Sequence, residues 1–233
     1  MRRWILLLTL CVIWIPRSTM GGTIIGRVLF DGKIPEPIHY TPSKDTQVCG
    51  TGDHVSDEMV ISVDRGIRYV VVSLGHVEGA RLNARTAVTL DQRGCRFLPH
   101  VVLIPRGATL EMLNSDKILH NVRTTSKKNA PFNKVQPKFV KKIKHVFKAA
   151  PEKIKIQCDA HSWMNAWVVV QEHPFYAVTD ESGQFTLMNV PAGTYTIESW
   201  HEKLGMESAS VIVPVEGTVT VDFILKDSDP EEE

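Results

Sequence analysis

The sequence predicts an all-β protein of the sandwich or barrel type. Three observations carry this. Short alternating or β-branched runs recur along the chain, and clusters of Gly, Pro, Asn and Asp punctuate them. No stretch sustains an apolar period of 3.6 residues. The length, 233 residues, accommodates one large all-β domain or two small ones.

Taken in order, the expected strands are Thr23–Phe30, Met59–Val63, Tyr69–Leu74, Ala87–Leu90, His100–Ile104 and Ala108–Leu113. Ile154–Gln157, Ala166–Val170, Gln184–Leu187, Thr194–Ser199, Ser210–Val213 and Thr218–Leu225 follow. Each is justified by β-branched or aromatic residues that fit a pleated, half-buried surface. The turn signals between them include Asp31-Gly32, Asp64-Arg65-Gly66, Pro105-Arg106-Gly107, Ser182-Gly183 and Glu216-Gly217.

The first residues read as an address. Arg2 and Arg3 precede a 12-residue apolar run, Trp4 to Ile15; Pro16 ends it and small residues follow. This is the layout of a secretory signal peptide over residues 1–21. An uncleaved anchor is the rival, but the run is short for a span of roughly 20 residues. A lipoprotein reading through Cys11 fits less well, because Leu10 is large. With the signal removed, no stable membrane span is expected, and the location is periplasmic or secreted.

Export changes the cysteine count. The mature chain keeps Cys49, Cys95 and Cys158, an odd number in an oxidising compartment. One reading is a single disulfide plus one buried free thiol. The other is a Cys49–Cys95 disulfide with Cys158 kept reduced for chemistry. The motif around Cys158 favours the second.

The formal net charge of +1 hides a lopsided map. Residues 123–155 hold eleven Lys and Arg against one acid, Glu152. The simplest reading is a solvated loop bordering the site, able to steer an acidic redox partner. A nucleic-acid partner is not expected: the total charge is near zero, and the stretch offers only Phe132, Phe139 and Phe147 for stacking. The tail, 227–233, carries five acids and is expected to be disordered.

Residues 158–164 read Cys-Asp-Ala-His-Ser-Trp-Met, and an upstream polar turn, Asn114-Ser115-Asp116, leads to His120-Asn121. Copper that shuttles one electron needs donors acceptable to both of its oxidation states. Two imidazoles and a thiolate with a weak axial thioether meet that demand. A Cys-x2-His-x2-Met spacing arises by composition alone roughly 0.005 times in such a chain, so chance is a poor account of it. The bland alternative has Cys158 and Met164 in the core and His161 as a satisfied loop residue. Zinc fits poorly, since Met is a weak zinc ligand and no second Cys is near. A Cys-His nucleophile has no obvious orienting carboxylate in the sequence and would be prone to oxidation outside the cell.

The pattern resembles the cupredoxins, with a loop most similar to the amicyanin type. The resemblance spans roughly residues 95–172 and implies a Greek-key β-barrel or sandwich. It implies His120, Cys158, His161 and Met164 as copper ligands, with Asn121 steadying the Cys loop. A second resemblance rests on Thr179-Asp180, Gly183, Phe185, Val190-Pro191, Gly193 and Tyr195. It is to the carboxypeptidase regulatory-like, transthyretin-like sandwich, also called a carbohydrate-binding-like fold, over 173–226. Gly26–Gly32 is similar to the first strand of that sandwich, so residues 22–94 are expected to join it around an inserted copper domain.

The expected function is single-electron carriage between extracytoplasmic partners, not enzymatic turnover, with the partner docking on 123–155. The rivals are a module that binds a glycan or a protein, and a Cu(I) buffer or chaperone. Among the remaining candidates, His100 is expected to be satisfied by backbone and His201 to lie at a surface or a domain junction. His39, His54, His76, His145 and His173 are expected at the surface. Trp163 and Trp167 are expected as core packing or an apolar cover.

Overall fold

The computed structural model describes residues 21–227 except 81, 83 and 85. The expected signal peptide and most of the acidic tail therefore lie outside the described residues. The described residues are nearly all strand and loop, as the sequence predicts, with one short helix, α1 (Thr46–Cys49). No helix among them is long and apolar enough to cross a membrane.

The first strand, β1 (Gly22–Asp31), organises one sandwich. One edge of β1 pairs antiparallel with β15 (Gln184–Val190). The other edge pairs in parallel with β18 (Thr218–Thr220) and then β19 (Phe223–Lys226). The expected single strand over 218–225 is thus two, each taking half of β1. The facing sheet orders β14 (Tyr176–Val178), β4 (Val71–Leu74), β16 (Gly193–His201) and β17 (Gly205–Val213). Ile24, Val28, Val72, Phe185, Ile197 and Phe223 meet between these sheets. Gly183 sits where β15 begins, with φ +77, and a Cβ there would lie 2.5 Å from the Val28 carbonyl oxygen. Only glycine allows that approach.

The second sandwich is built from intervening residues. Its larger sheet orders β10 (Asn133–Gln136), β9 (His120–Thr125), β12 (Glu152–Gln157), β13 (Asn165–Gln171) and β7 (Val101–Pro105). Its partner orders β11 (Lys142–Val146), β8 (Thr109–Asn114), β5 (Val88–Gln92) and β6 (Phe97–Leu98). Leu90, Ile104, Leu110, Met112, Ile154, Ile156 and Val168 fill the space between them. Val88–Gln92 and Cys49, placed by sequence with the N-terminal strands, therefore belong to this core instead.

Successive side chains of a strand point to opposite faces, and the chain exploits this to stack its sandwiches. In the run Trp167-Val168-Val169-Val170, Val168 and Val170 enter the second core, while Val169 and Trp167 face outward. Val71 of β4 likewise points away from Val70 and Val72. Val71, Val101 and Val169, with Trp167 and Trp200 around them, form an apolar junction between the two sandwiches. A buried hydrogen-bonded pair crosses it: the His100 ring meets the Glu202 carboxylate, and the Trp167 indole N–H donates to the same carboxylate at 2.8 Å. His100 is thus satisfied by a side chain rather than by backbone. His201 is buried beside it, and burial pushes its ring down to about 4. His173, expected at the surface, is also buried and bonds the Leu74 carbonyl.

The Lys-rich stretch is not a loop. It contains β10, β11 and parts of β9 and β12. Its composition misleads because β10 and β11 are edge strands, where lysine discourages pairing with another chain. Lys142 and Lys144 both reach Glu111 on β8, at 3.0 and 2.8 Å. Its one acid, Glu152, accepts from Ser126 Oγ, from the backbone N–H groups of Lys127, Lys128 and Asn129, and from the Asn129 amide. The expected strand Met59–Val63 is reduced to one bridge, Ile61 to Ile67, around the tight turn at Asp64-Arg65-Gly66.

Candidate metal centre

Strands β12 and β13 pair up to Gln157 and Asn165, which leaves residues 158–164 as the loop joining them. The loop is closed internally: the Cys158 N–H donates to the Met164 carbonyl at 3.2 Å, and the Met164 N–H to the His161 carbonyl at 2.9 Å. Strand β9 pairs with β12 from Arg123 onward, so His120, three residues earlier, projects at the same sheet end. Asn121 joins the two. Its Oδ1 accepts the N–H groups of Asp159 and Ala160 at 2.7 and 3.2 Å and lies 3.3 Å from the Cys158 sulfur.

These constraints bring three donor atoms together. His120 Nδ1 lies 3.0 Å from His161 Nδ1, and Cys158 Sγ lies 3.9 and 3.7 Å from them. All three residues are buried. A point equidistant from the three atoms lies roughly 2.1 Å from each, matching the ~2.0–2.3 Å bonds that metals such as zinc make to imidazole and thiolate. Two imidazoles and a thiolate at that spacing fit a copper ion of the electron-transfer type. Met164, the fourth residue predicted from sequence, is 1% exposed in the same core as Cys158.

The electrostatics suit a cation. Burial pushes the Cys158 thiol up, but the His120 ring and the backbone N–H groups of Asn121 and His161 outweigh it and lower the thiol below its usual range. Burial pulls the His120 ring down, yet bonds to Asp116 and Cys158 raise it to about 9. For His161 burial prevails, and the ring is lowered despite Asp45.

Both outer ring nitrogens end on carboxylates. His120 Nε2 lies 2.9 Å from Asp116 and His161 Nε2 lies 3.0 Å from Asp45. With the outer nitrogen holding the proton, each Nδ1 offers its lone pair inward. The sequence reading missed both carboxylates. Asp116 had a signal, four residues before His120 in the polar turn; Asp45 had none in the spacing. Cys95, Asp116 and His120 also cluster. However, Cys95 is joined to Cys49 in a disulfide, while Asp116 already accepts the N–H groups of Gly94 and Cys95. Cys158 is the free thiol among the described residues. Trp163 covers His161, its ring centre 5.2 Å away, and its indole N–H donates to the Cys95 carbonyl.

A family model described as polysaccharide lyase family 4, domain II, matches residues 146–221, about a third of the chain and parts of both sandwiches. The carboxypeptidase regulatory-like resemblance finds no support in this match. No curated protein matches the sequence. Similar solved structures include a copper-containing nitrite reductase from Thermus scotoductus, 26% identical, covering 42% of this chain and 25% of its own, TM-score 0.34. This chain thus spans about a quarter of that enzyme's length. An amicyanin mutant in its Cu(I) form is 18% identical, covering 43% of this chain and 98% of its own, TM-score 0.34. A purple cupredoxin from Nitrosopumilus maritimus is 21% identical, covering 36% and 98%, TM-score 0.31.

Proposed function

We propose that the protein is an extracytoplasmic type 1 copper protein that carries single electrons between redox partners. The observation that carries this reading is the buried His120–Cys158–His161 donor triangle. His120 and His161 would hold copper through Nδ1 and Cys158 through its thiolate, and Met164 would be a weaker fourth ligand. Copper held there would supply one-electron redox chemistry. The chain's own part is to keep that chemistry inexpensive. Asn121 and the loop hydrogen bonds fix the donors in one arrangement, and burial excludes water. We read the burial of all three donors as favouring a carrier over an enzyme. The Cys49–Cys95 disulfide fits an oxidising compartment. For the partner, exposed Lys138 and Lys141 follow Gln136, which pairs with His120, so the basic segment has its tip at the metal end.

A second reading rests on the family match over 146–221. A cleft of about 590 Å³ at the junction is lined by Lys127, Lys128, Lys153 and Trp200, among others. A glycan could lie there, which would make copper structural or a handled cargo.

Visible and spin-resonance spectra after addition of Cu(II) separate these readings. An intense thiolate-to-copper band that disappears in Cys158→Ser supports electron carriage. Absence of that band in the parent protein, with binding unchanged by substitution at His120, Cys158, His161 and Met164, removes it.

A further inference from the structure

The two carboxylates behind the donor triangle reach it by different routes. Asp116 is local, four residues before His120. Asp45 comes from 116 residues before His161, on a strap that crosses the metal end of the second sandwich. The strap contains β2 (His39–Tyr40), α1 and β3 (His54–Val55), with β2 and β3 paired. It is pinned at Cys49 by the disulfide to Cys95. The Tyr40 ring of the strap stacks on Trp163, which covers His161. His161 is 0% exposed as a result.

One short turn anchors both carboxylates. Gly94 and Cys95 have φ of +62 and +56, and their consecutive N–H groups converge on Asp116. The same Cys95 holds the strap that delivers Asp45. Asp45 itself has φ 49, and its carbonyl accepts the N–H groups of Val48 and Cys49. Its side chain is aimed at His161 Nε2 and remains partly exposed.

We infer that Asp45 is a positioning residue of the metal centre. Its carboxylate keeps the His161 proton on Nε2, so that Nδ1 faces the metal. It also places a negative charge one ring away from the cation, which favours the more highly charged metal state. Asp45 therefore strengthens divalent-metal binding and lowers the midpoint potential of bound copper. The second effect rests on the copper reading; the first needs only the donor triangle.

Asp45→Asn is the decisive variant. Asn tolerates the left-handed backbone and keeps the side-chain shape, so the strap stays folded. Asp53→Asn is the control: it removes the same charge from the same strap, where Asp53 pairs with His39 instead. Zn(II) is titrated into the full mature protein against a chromophoric chelator, and the midpoint potential of the copper-loaded form is measured. Loss of an outer partner typically weakens metal binding about 10–100-fold. That loss is expected for Asp45→Asn, with a raised potential, while Asp53→Asn matches the parent. Unchanged zinc affinity in Asp45→Asn overturns the inference, as does an equal loss in both variants. A parent protein that shows the zinc difference but no intense Cu(II) band keeps Asp45 in this role and removes electron carriage instead.

Discussion

His120 Nδ1 and His161 Nδ1 lie 3.0 Å apart, with their rings inclined at 60° and with Cys158 Sγ within 4 Å of both. Two protonated nitrogens do not approach so closely. Either one proton or one cation must sit between them. The triangle is held from outside, by Asp116, Asp45 and Asn121, so it does not depend on the cation for its shape.

Replacement of Cys158 by Ser removes the thiolate but nearly keeps its volume. The expected outcome is a folded protein whose far-ultraviolet dichroism matches the parent, with the intense copper band gone. An unaltered band would show that the sulfur is not a ligand.

Asn121→Ala leaves the N–H groups of Asp159 and Ala160 without their acceptor. Loss of a partly buried hydrogen bond of this kind costs about 0.5–1.5 kcal/mol. An unfolding free energy in urea lowered by that amount, together with an altered copper spectrum, is expected. A change in stability without any spectral change would show that Asn121 does not steady the donor loop.

Cys49→Ser with Cys95→Ser opens a loop spanning 46 residues. By chain entropy such a cross-link contributes about 4 kcal/mol. Urea unfolding of the double variant should show a loss near that size. Zinc affinity should fall as well, because the strap carrying Asp45 loses its anchor.

Burial raises the Glu152 carboxyl, but its five hydrogen-bond donors outweigh this and hold it at about 2. A folded pKa below the unfolded one stabilises the fold above the unfolded value, about 4.5, and the contribution is lost as pH falls toward 2. Glu152→Gln should therefore melt earlier than the parent at pH 7, and the gap should narrow at pH 3. A gap independent of pH would assign the effect to packing.

The metal end was legible in the sequence because its chemistry is local. Cys158, His161 and Met164 sit within seven residues, and a short loop between paired strands must bring them near one another. His120 was legible for the polar turn before it. The edge strands β10 and β11 were not, because lysines that protect an edge look the same as lysines in a solvated loop. The buried His173 and the His100–Glu202 pair were hidden because a histidine carries no local sign of what will pack against it.

By itself, then, the sequence determined the all-β class and the Cys158 to Met164 motif, since each follows from strand periodicity or from spacing within a few residues. Only the tertiary structure decided which sheets stack back to back, that a strap from residues 39–55 closes the site, and that Asp45 stands behind His161. Those contacts join residues as far as 116 positions apart, and no local pattern encodes a pairing made solely by how the sheets and the disulfide fold the chain back on itself.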